Sequence, residues 1–182
     1  MDMEVFHTRA VPTIFTIGHG TARTDDFLAA LTTTGVRVLA DVRSFPGSRR
    51  NPQFGAEALR ASLEAAGITY IHLRGLGGRR TPVAGSPHTA LRVAAFRAYA
   101  DHMDTEAFAA GYAALTELAG RSPAAVMCAE TLWWRCHRRL LADRLAADGW
   151  TVLHLRIGAE PEPHRMTDVA RLLQGRLRYG DG

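Results

Sequence analysis

The sequence predicts an α/β fold, a single three-layer domain with a mainly parallel sheet of about five strands and helices on both faces, Rossmann-like in arrangement. Three observations predict it. Short runs rich in β-branched and aromatic residues recur along the chain, stretches with apolar residues at helical spacing separate them, and a glycine or a polar loop closes most of them. Strand, helix and strand in alternation imply right-handed crossovers and parallel pairing.

Thr13 to Ile17 is the first strand, and it stops at Gly18-His19-Gly20. Thr24-Asp25-Asp26 opens a helix with capping residues, Phe27, Leu28 and Leu31 supply its apolar face, and Gly35 ends it. Val36 to Ala40 is the second strand and delivers a basic loop from Asp41 to Arg50. A helix from about Gly55 to Ala66 follows, with Gly67 as stop signal, and Ile68 to Leu73 is the third strand. The Pro/Gly/Ser content from Arg74 to His88 predicts a mobile surface loop long enough to be a lid. Helices over Thr89–His102 and Thr105–Ala119 carry Phe96, Tyr99, Phe108, Tyr112 and Leu115 at core spacing. A fourth strand ends at Cys128, a helix runs from about Leu132 to Ala147, and Trp150 to Leu155 is the fifth strand. Beyond Pro161 the pattern weakens to a short helix over Thr167–Leu173. Residues 1–12 and 175–182 read as loose tails.

The length of 182 residues suits one domain, and 47% hydrophobic residues is ordinary for a soluble globular protein. All 22 basic residues are arginine, and the net charge of +4 favours an anionic partner, either a small molecule or nucleic acid. No apolar stretch is long enough to cross a bilayer, so no membrane partner is expected. Two cysteines and no secretory leader point to a reducing, cytoplasmic setting.

Parallel strands place four loops on one edge of the sheet: His19, Asp41 to Arg50, Arg74 to Arg80, and Cys128 to Glu130. Such an edge is where open α/β sheets bind ligands. In a helix beginning at Leu132, Cys136, His137 and Arg138 occupy the first two turns beside the same opening. Cys128, just before a helix N-terminus among arginines, meets the condition for a thiolate nucleophile. His19 or His137 is a candidate general acid or base, and Glu130 can orient an imidazole or take a proton. Arg43, Arg49 and Arg50, with Ser44, Ser48 and Gly47, suit phosphate, because guanidinium forks and loop amides match phosphate oxygens. In the alternative, Asp41 pairs with Arg43 in a solvated loop. Gly75 to Gly78 lacks the ending of a P-loop, and Gly18-His19-Gly20 lacks the third glycine of a dinucleotide fingerprint. Seven residues separate Cys128 from Cys136, and neither that gap nor the adjacent Cys136-His137 pair matches usual zinc spacings, so no metal or other cofactor is expected.

Thr16-Ile17-Gly18-His19-Gly20, Asp41-Val42-Arg43 with Pro46 and Ser48-Arg49, Leu76-Gly77-Gly78, Tyr99 with Met103, and Met127-Cys128-Ala129-Glu130 with Cys136-His137-Arg138 form an ordered set of motifs. Together they resemble the bacterial and archaeal domain of unknown function 488 family, from about Ile14 to His154. The chain departs from that pattern at Gly20, where the family usually has Ser. The resemblance implies a compact α/β domain with its motif residues gathered at one site, Gly77, Gly78, Tyr99, Cys136 and Arg138 among them. It implies no particular reaction.

The leading expectation is an enzyme, a hydrolase or transferase, acting on a nucleotide or nucleic-acid base. Cys128 or Glu130 would stand at the reaction centre, with Arg43, Arg49 and Arg138 holding phosphate. A non-catalytic module gripping single-stranded nucleic acid through arginines and Trp133 or Trp134 is the alternative. A thiol redox or sulfur-transfer enzyme using Cys128 and Cys136 is the third reading, and the two cysteines lack CxxC spacing.

Overall fold

The computed structural model describes residues 11–180, so the proposed N-terminal arm lies largely outside the described residues. Alternation of strand and helix produces β1 (Thr13–Gly18), α1 (Thr24–Thr33), β2 (Val38–Asp41), α2 (Ala56–Ala65), β3 (Thr69–His72), α3 (Ala94–His102), α4 (Glu106–Arg121), β4 (Ala124–Cys128), α5 (Arg138–Ala147) and β5 (Thr151–Arg156). These five strands are parallel, in the order β3-β2-β4-β1-β5. A sixth, β6 (Ala159–Pro163), adds antiparallel to β5 at the edge.

Side chains alternate across a strand, so each central strand feeds two cores. Ala125 and Met127 of β4 pack with Ile17, Leu39, Phe27 and Leu31 on the α1/α2 face. Val126 and Cys128 face the other way, against Tyr99, Phe108, Leu115, Leu140 and Leu141 of α3, α4 and α5. The fold is therefore three layers, as the periodicity predicts. The chain leaves β1 and β2 toward one face and β4 toward the other, and β4 lies between them. That reversal opens a crevice at the carboxyl end of β4. Gly18 pairs with Cys128 there, and His19 and Gly20 donate their amides to the Cys128 and Ala129 carbonyls.

Four local expectations are corrected. Helix α1 has Arg23 rather than Thr24 at its cap and no side-chain capping bond; Asp25 and Asp26 in its first turn complement the helix dipole instead. The helix expected from Leu132 begins only at Arg138. A single 3-10 turn over Trp133–Arg135 and an extended Cys136 precede it. In that turn Trp133 lies flat on His154, ring centroids 4.0 Å apart. The Arg74–His88 segment is anchored near both ends: Leu76 and His88 are buried and Arg80 donates to the Gly75 and Gly77 carbonyls, while Arg74, Arg79, residues 81–85 and Pro87 are exposed. The expected helix over 167–173 and tail from 175 are instead a hairpin, β7 (Ala170–Leu173) and β8 (Arg176–Tyr179). Gln174 and Gly175 both have positive φ, the geometry of a two-residue hairpin turn. Leu177 and Tyr179 of β8 alternate inward and are buried.

Tyr179 ends in a buried polar network. Asp143 accepts bonds from the Tyr179 hydroxyl, the Thr167 amide and His164 Nε2. With Nε2 donating to a carboxylate, His164 Nδ1 accepts from His154 Nε2 at 3.0 Å, and His154 Nδ1 accepts from Thr16 Oγ1 at 2.7 Å. The chain of bonds is complete with both imidazoles neutral, leaving no acceptor for another proton. Burial, then the neighbouring His164 and Arg138, push the His154 pKa from 6.5 down to about 3. Between these values the unfolded chain takes up a proton that the folded chain refuses. This contribution to stability is therefore complete above about pH 6.5 and is lost as pH falls toward about 3. Urea unfolding midpoints should fall between about pH 7 and about pH 4. His154→Gln should flatten that slope, and an unchanged slope would contradict the assignment.

Candidate functional site

The carboxyl ends of the central strands bring most of the predicted site residues together. Period-two alternation puts Cys128 on the α5 face, and the 3-10 turn folds Cys136 and His137 back onto it. The two Sγ atoms and His137 Nδ1 all lie within 4.8 Å of one another. His137 Nδ1 stands 3.5 Å from Cys136 Sγ and 3.9 Å from Cys128 Sγ. Both cysteines are free and buried. Tyr99 leans on the His137 ring, centroids 4.9 Å apart, and donates its hydroxyl to the Leu76 carbonyl. Gly78 lies against the other part of that ring, where any Cβ would collide with the imidazole.

Arg138 is buried and closes the floor. Its Nε donates to Cys136 Sγ at 3.5 Å, and its Nη2 donates to the Glu130 carbonyl beside Gly18. A Cβ at Gly18 would strike both Arg138 and that carbonyl, which accounts for the glycine. Gly20 has φ +50°, and the Thr131 hydroxyl occupies the space its side chain would need.

The two sulfurs differ electrostatically. The neighbouring Cys128 thiol, together with His137 and Arg138, holds the Cys136 thiol well below its usual range against the effect of burial. Cys128 is pushed up by the neighbouring Cys136 and by burial. The groups that favour a thiolate lie beside both sulfurs, with Arg138 Nε on Cys136 and His137 Nδ1 facing the two.

Beside the sulfurs lies a second buried cluster. Arg43 reaches Asp41 through Nε at 2.9 Å and Nη2 at 2.6 Å, and donates to the Phe54 carbonyl at 2.9 Å. Tyr70 also donates its hydroxyl to Asp41, at 2.8 Å. His19 Nδ1 donates to the Gly20 carbonyl, which leaves Nε2 to accept from Arg43 at 3.3 Å. Its ring stacks on Phe54, and burial lowers its pKa. The Arg43 guanidinium is thus paired inside the protein, and that of Arg138 is bonded through Nε and Nη2. His19 is similarly committed at both nitrogens. The sequence missed Tyr70, Phe54 and His72, whose Nε2 donates to the Arg43 carbonyl. An Asp-x-Arg at a strand end was the only signal for that cluster.

The remaining predicted residues form the rim. Ser44 Oγ accepts the Arg79 amide and touches Gly77, while Ser48 Oγ accepts the Asn51 amide. Arg49, Arg50 and Arg79 are exposed, as is Glu130, whose carboxylate lies 3.5 Å from the Leu132 amide. Phe45 is 62% exposed with the Arg79 guanidinium over its ring, and Trp134 is 39% exposed. An open groove between α1 and the β5–β6 turn, lined by Asp26, Arg156 and Glu160 among others, holds none of the sulfur or imidazole groups. Among the described residues, no helix is long and apolar enough to cross a membrane.

No curated protein and no solved structure matches the chain. The family described as "Domain of unknown function DUF488" matches residues 23–145, a span that runs from the first helix through the Asp41–Arg43 cluster, both cysteines and most of α5, and the chain belongs to that family.

Proposed function

We propose that the chain is an enzyme acting on a nucleotide or nucleic-acid base, with Cys136, Cys128 and His137 at its reaction centre. The observation that carries this reading is the meeting of two sulfurs and one imidazole within 4.8 Å at the carboxyl edge of the sheet, where arginine-bearing loops emerge. A sulfur held by guanidinium and imidazole groups is a candidate nucleophile, and the neighbouring imidazole can move a proton. Exposed Arg49, Arg50 and Arg79 supply positive charge for phosphate, and Phe45 supplies a face for a base. Two free thiols suit a reducing, cytoplasmic compartment.

Alkylation by iodoacetamide, followed by peptide mass spectrometry, tests this. Cys136 should be modified before Cys128 at neutral pH, and a nucleoside monophosphate or a short single-stranded oligonucleotide should slow the reaction severalfold. No protection by any member of such a panel would count against the substrate class. Modification of Cys128 first would count against the assigned sulfur.

Exposed Phe45 and Trp134 favour a second reading, a non-catalytic module that stacks the bases of single-stranded nucleic acid. Oligonucleotide binding that weakens steeply with salt and is unchanged in Cys136→Ser would select it.

A further inference from the structure

The spacing of Cys128, Cys136 and His137 argues against zinc, yet their distances argue for it. In a tetrahedral zinc site with Zn–S near 2.3 Å and Zn–N near 2.0–2.1 Å, a sulfur and a nitrogen ligand lie roughly 3.6 Å apart. The two distances from His137 Nδ1 to the sulfurs, 3.5 and 3.9 Å, are edges of that size. Both sulfurs and the nitrogen gather within 4.8 Å of one another from three segments: the end of β4, the extended Cys136, and the residue preceding α5.

From this arrangement we infer that Cys128, Cys136 and His137 form a binding site for one Zn2+ ion, with three protein ligands and a fourth position left for water or substrate. The donor chemistry suits that ion, since two thiolates and one imidazole favour a thiophilic metal over magnesium or calcium. Supporting groups are also in place. Arg138 Nε donates to Cys136 Sγ. Such outer bonds orient sulfur ligands and offset the charge that two thiolates bring to one metal. Tyr99 packs on the ring, and the absence of a side chain at Gly78 keeps the Nδ1 edge clear, so that Nδ1 faces the two sulfurs. His137 Nε2 is buried and has no partner among the described residues. An imidazole that gives Nδ1 to a metal carries its proton on Nε2, and no other group competes for Nδ1.

Three protein ligands with an open fourth position is the arrangement of a catalytic rather than a structural zinc. A Cys/Cys/His set is also one by which hydrolases of nucleobases activate water. The zinc site rests on the reading of these three residues as one centre, in which Cys136 and His137 would act as ligands in place of nucleophile and proton carrier, and not on the identity of what that centre acts upon.

The test uses the whole reduced chain. After exposure to ZnCl2 and exhaustive dialysis, elemental analysis should find one zinc per chain. Co2+ in its place should give the intense visible absorption of a tetrahedral site and the near-ultraviolet band of cobalt–thiolate bonding. Both signals should be lost in Cys136→Ser and Cys128→Ser. If either variant unfolds, the unmodified chain still decides: bound zinc should shield two thiols from Ellman's reagent, and a chelator should expose them. Folded, reduced protein that retains no zinc and leaves Co2+ with its six-coordinate aqueous spectrum would overturn the proposal, as would zinc retention unchanged in the double cysteine variant. Nucleotide protection of Cys136 in zinc-free protein, with no zinc uptake, would remove the metal and leave the enzyme reading intact. Zinc uptake without protection by any nucleotide would do the reverse.

Discussion

Asp41→Ala should lower the stability of the folded chain by about 3–5 kcal/mol, measured as a shift in the urea unfolding free energy. Asp41 has no exposed surface and is the sole carboxylate facing the buried Arg43 guanidinium. It also accepts the Arg43 amide and the Tyr70 hydroxyl. Its removal leaves a buried cation, an amide and a phenol with too few acceptors. The cost of an uncompensated buried charge exceeds what the intact pair contributes relative to an apolar replacement. The damage should reach the site, because Arg43 also donates to His19 and to the carbonyl of Phe54, on which His19 stacks. Asp41→Asn keeps the shape and most of the hydrogen bonds but removes the charge, and should cost less. A change below about 1 kcal/mol for Asp41→Ala would mean that Arg43 finds water instead of remaining enclosed.

Asp143→Ala should cost about 2–4 kcal/mol by unpairing three buried donors, the Tyr179 hydroxyl, the Thr167 amide and His164 Nε2. Its consequence should be local to the end of the chain. Amide exchange should quicken across β7, β8 and the segment after β6, while Cys128 and Cys136 keep their alkylation rates. Tyr179→Phe removes one of the three donors and should cost about 1 kcal/mol, since it leaves no donor stranded. Uniformly faster exchange, including β1 and β4, would show that the network secures the central sheet and not only the hairpin.

The two aspartates contrast in how visible they are beforehand. Asp41 stands at a predicted strand end two residues from an arginine, where an ion pair is a natural reading, although the sequence places it in a solvated loop and the fold buries it. Asp143 sits in the middle of a helix, and its partners lie 21 to 36 residues further along the chain. Nothing in local spacing connects them. Cys136 and His137 illustrate the same limit: helical periodicity carried them onto a helix from Leu132, whereas a 3-10 turn over Trp133–Arg135, with Trp133 stacked on His154, precedes α5 and both side chains lie beside Cys128. The C-terminal hairpin was hidden because Gln-Gly is a weaker turn signal than Asn-Gly, and its short strands alternate only two inward residues, Leu177 and Tyr179.

Hydrophobic period and turn residues, being local properties, sufficed to determine the layered α/β architecture, the five parallel strands and the edge on which His19, Arg43 and Cys128 meet. Which of those groups remain free for chemistry was decided only by tertiary packing. Burial obliges every charge to find a partner, and the partners come from distant elements: Arg43 is taken by Asp41 and Phe54, Arg138 by Cys136 and Glu130, and His19 by Gly20 and Arg43. What packing leaves uncommitted is a pair of sulfurs facing one imidazole nitrogen, with exposed arginines at the rim.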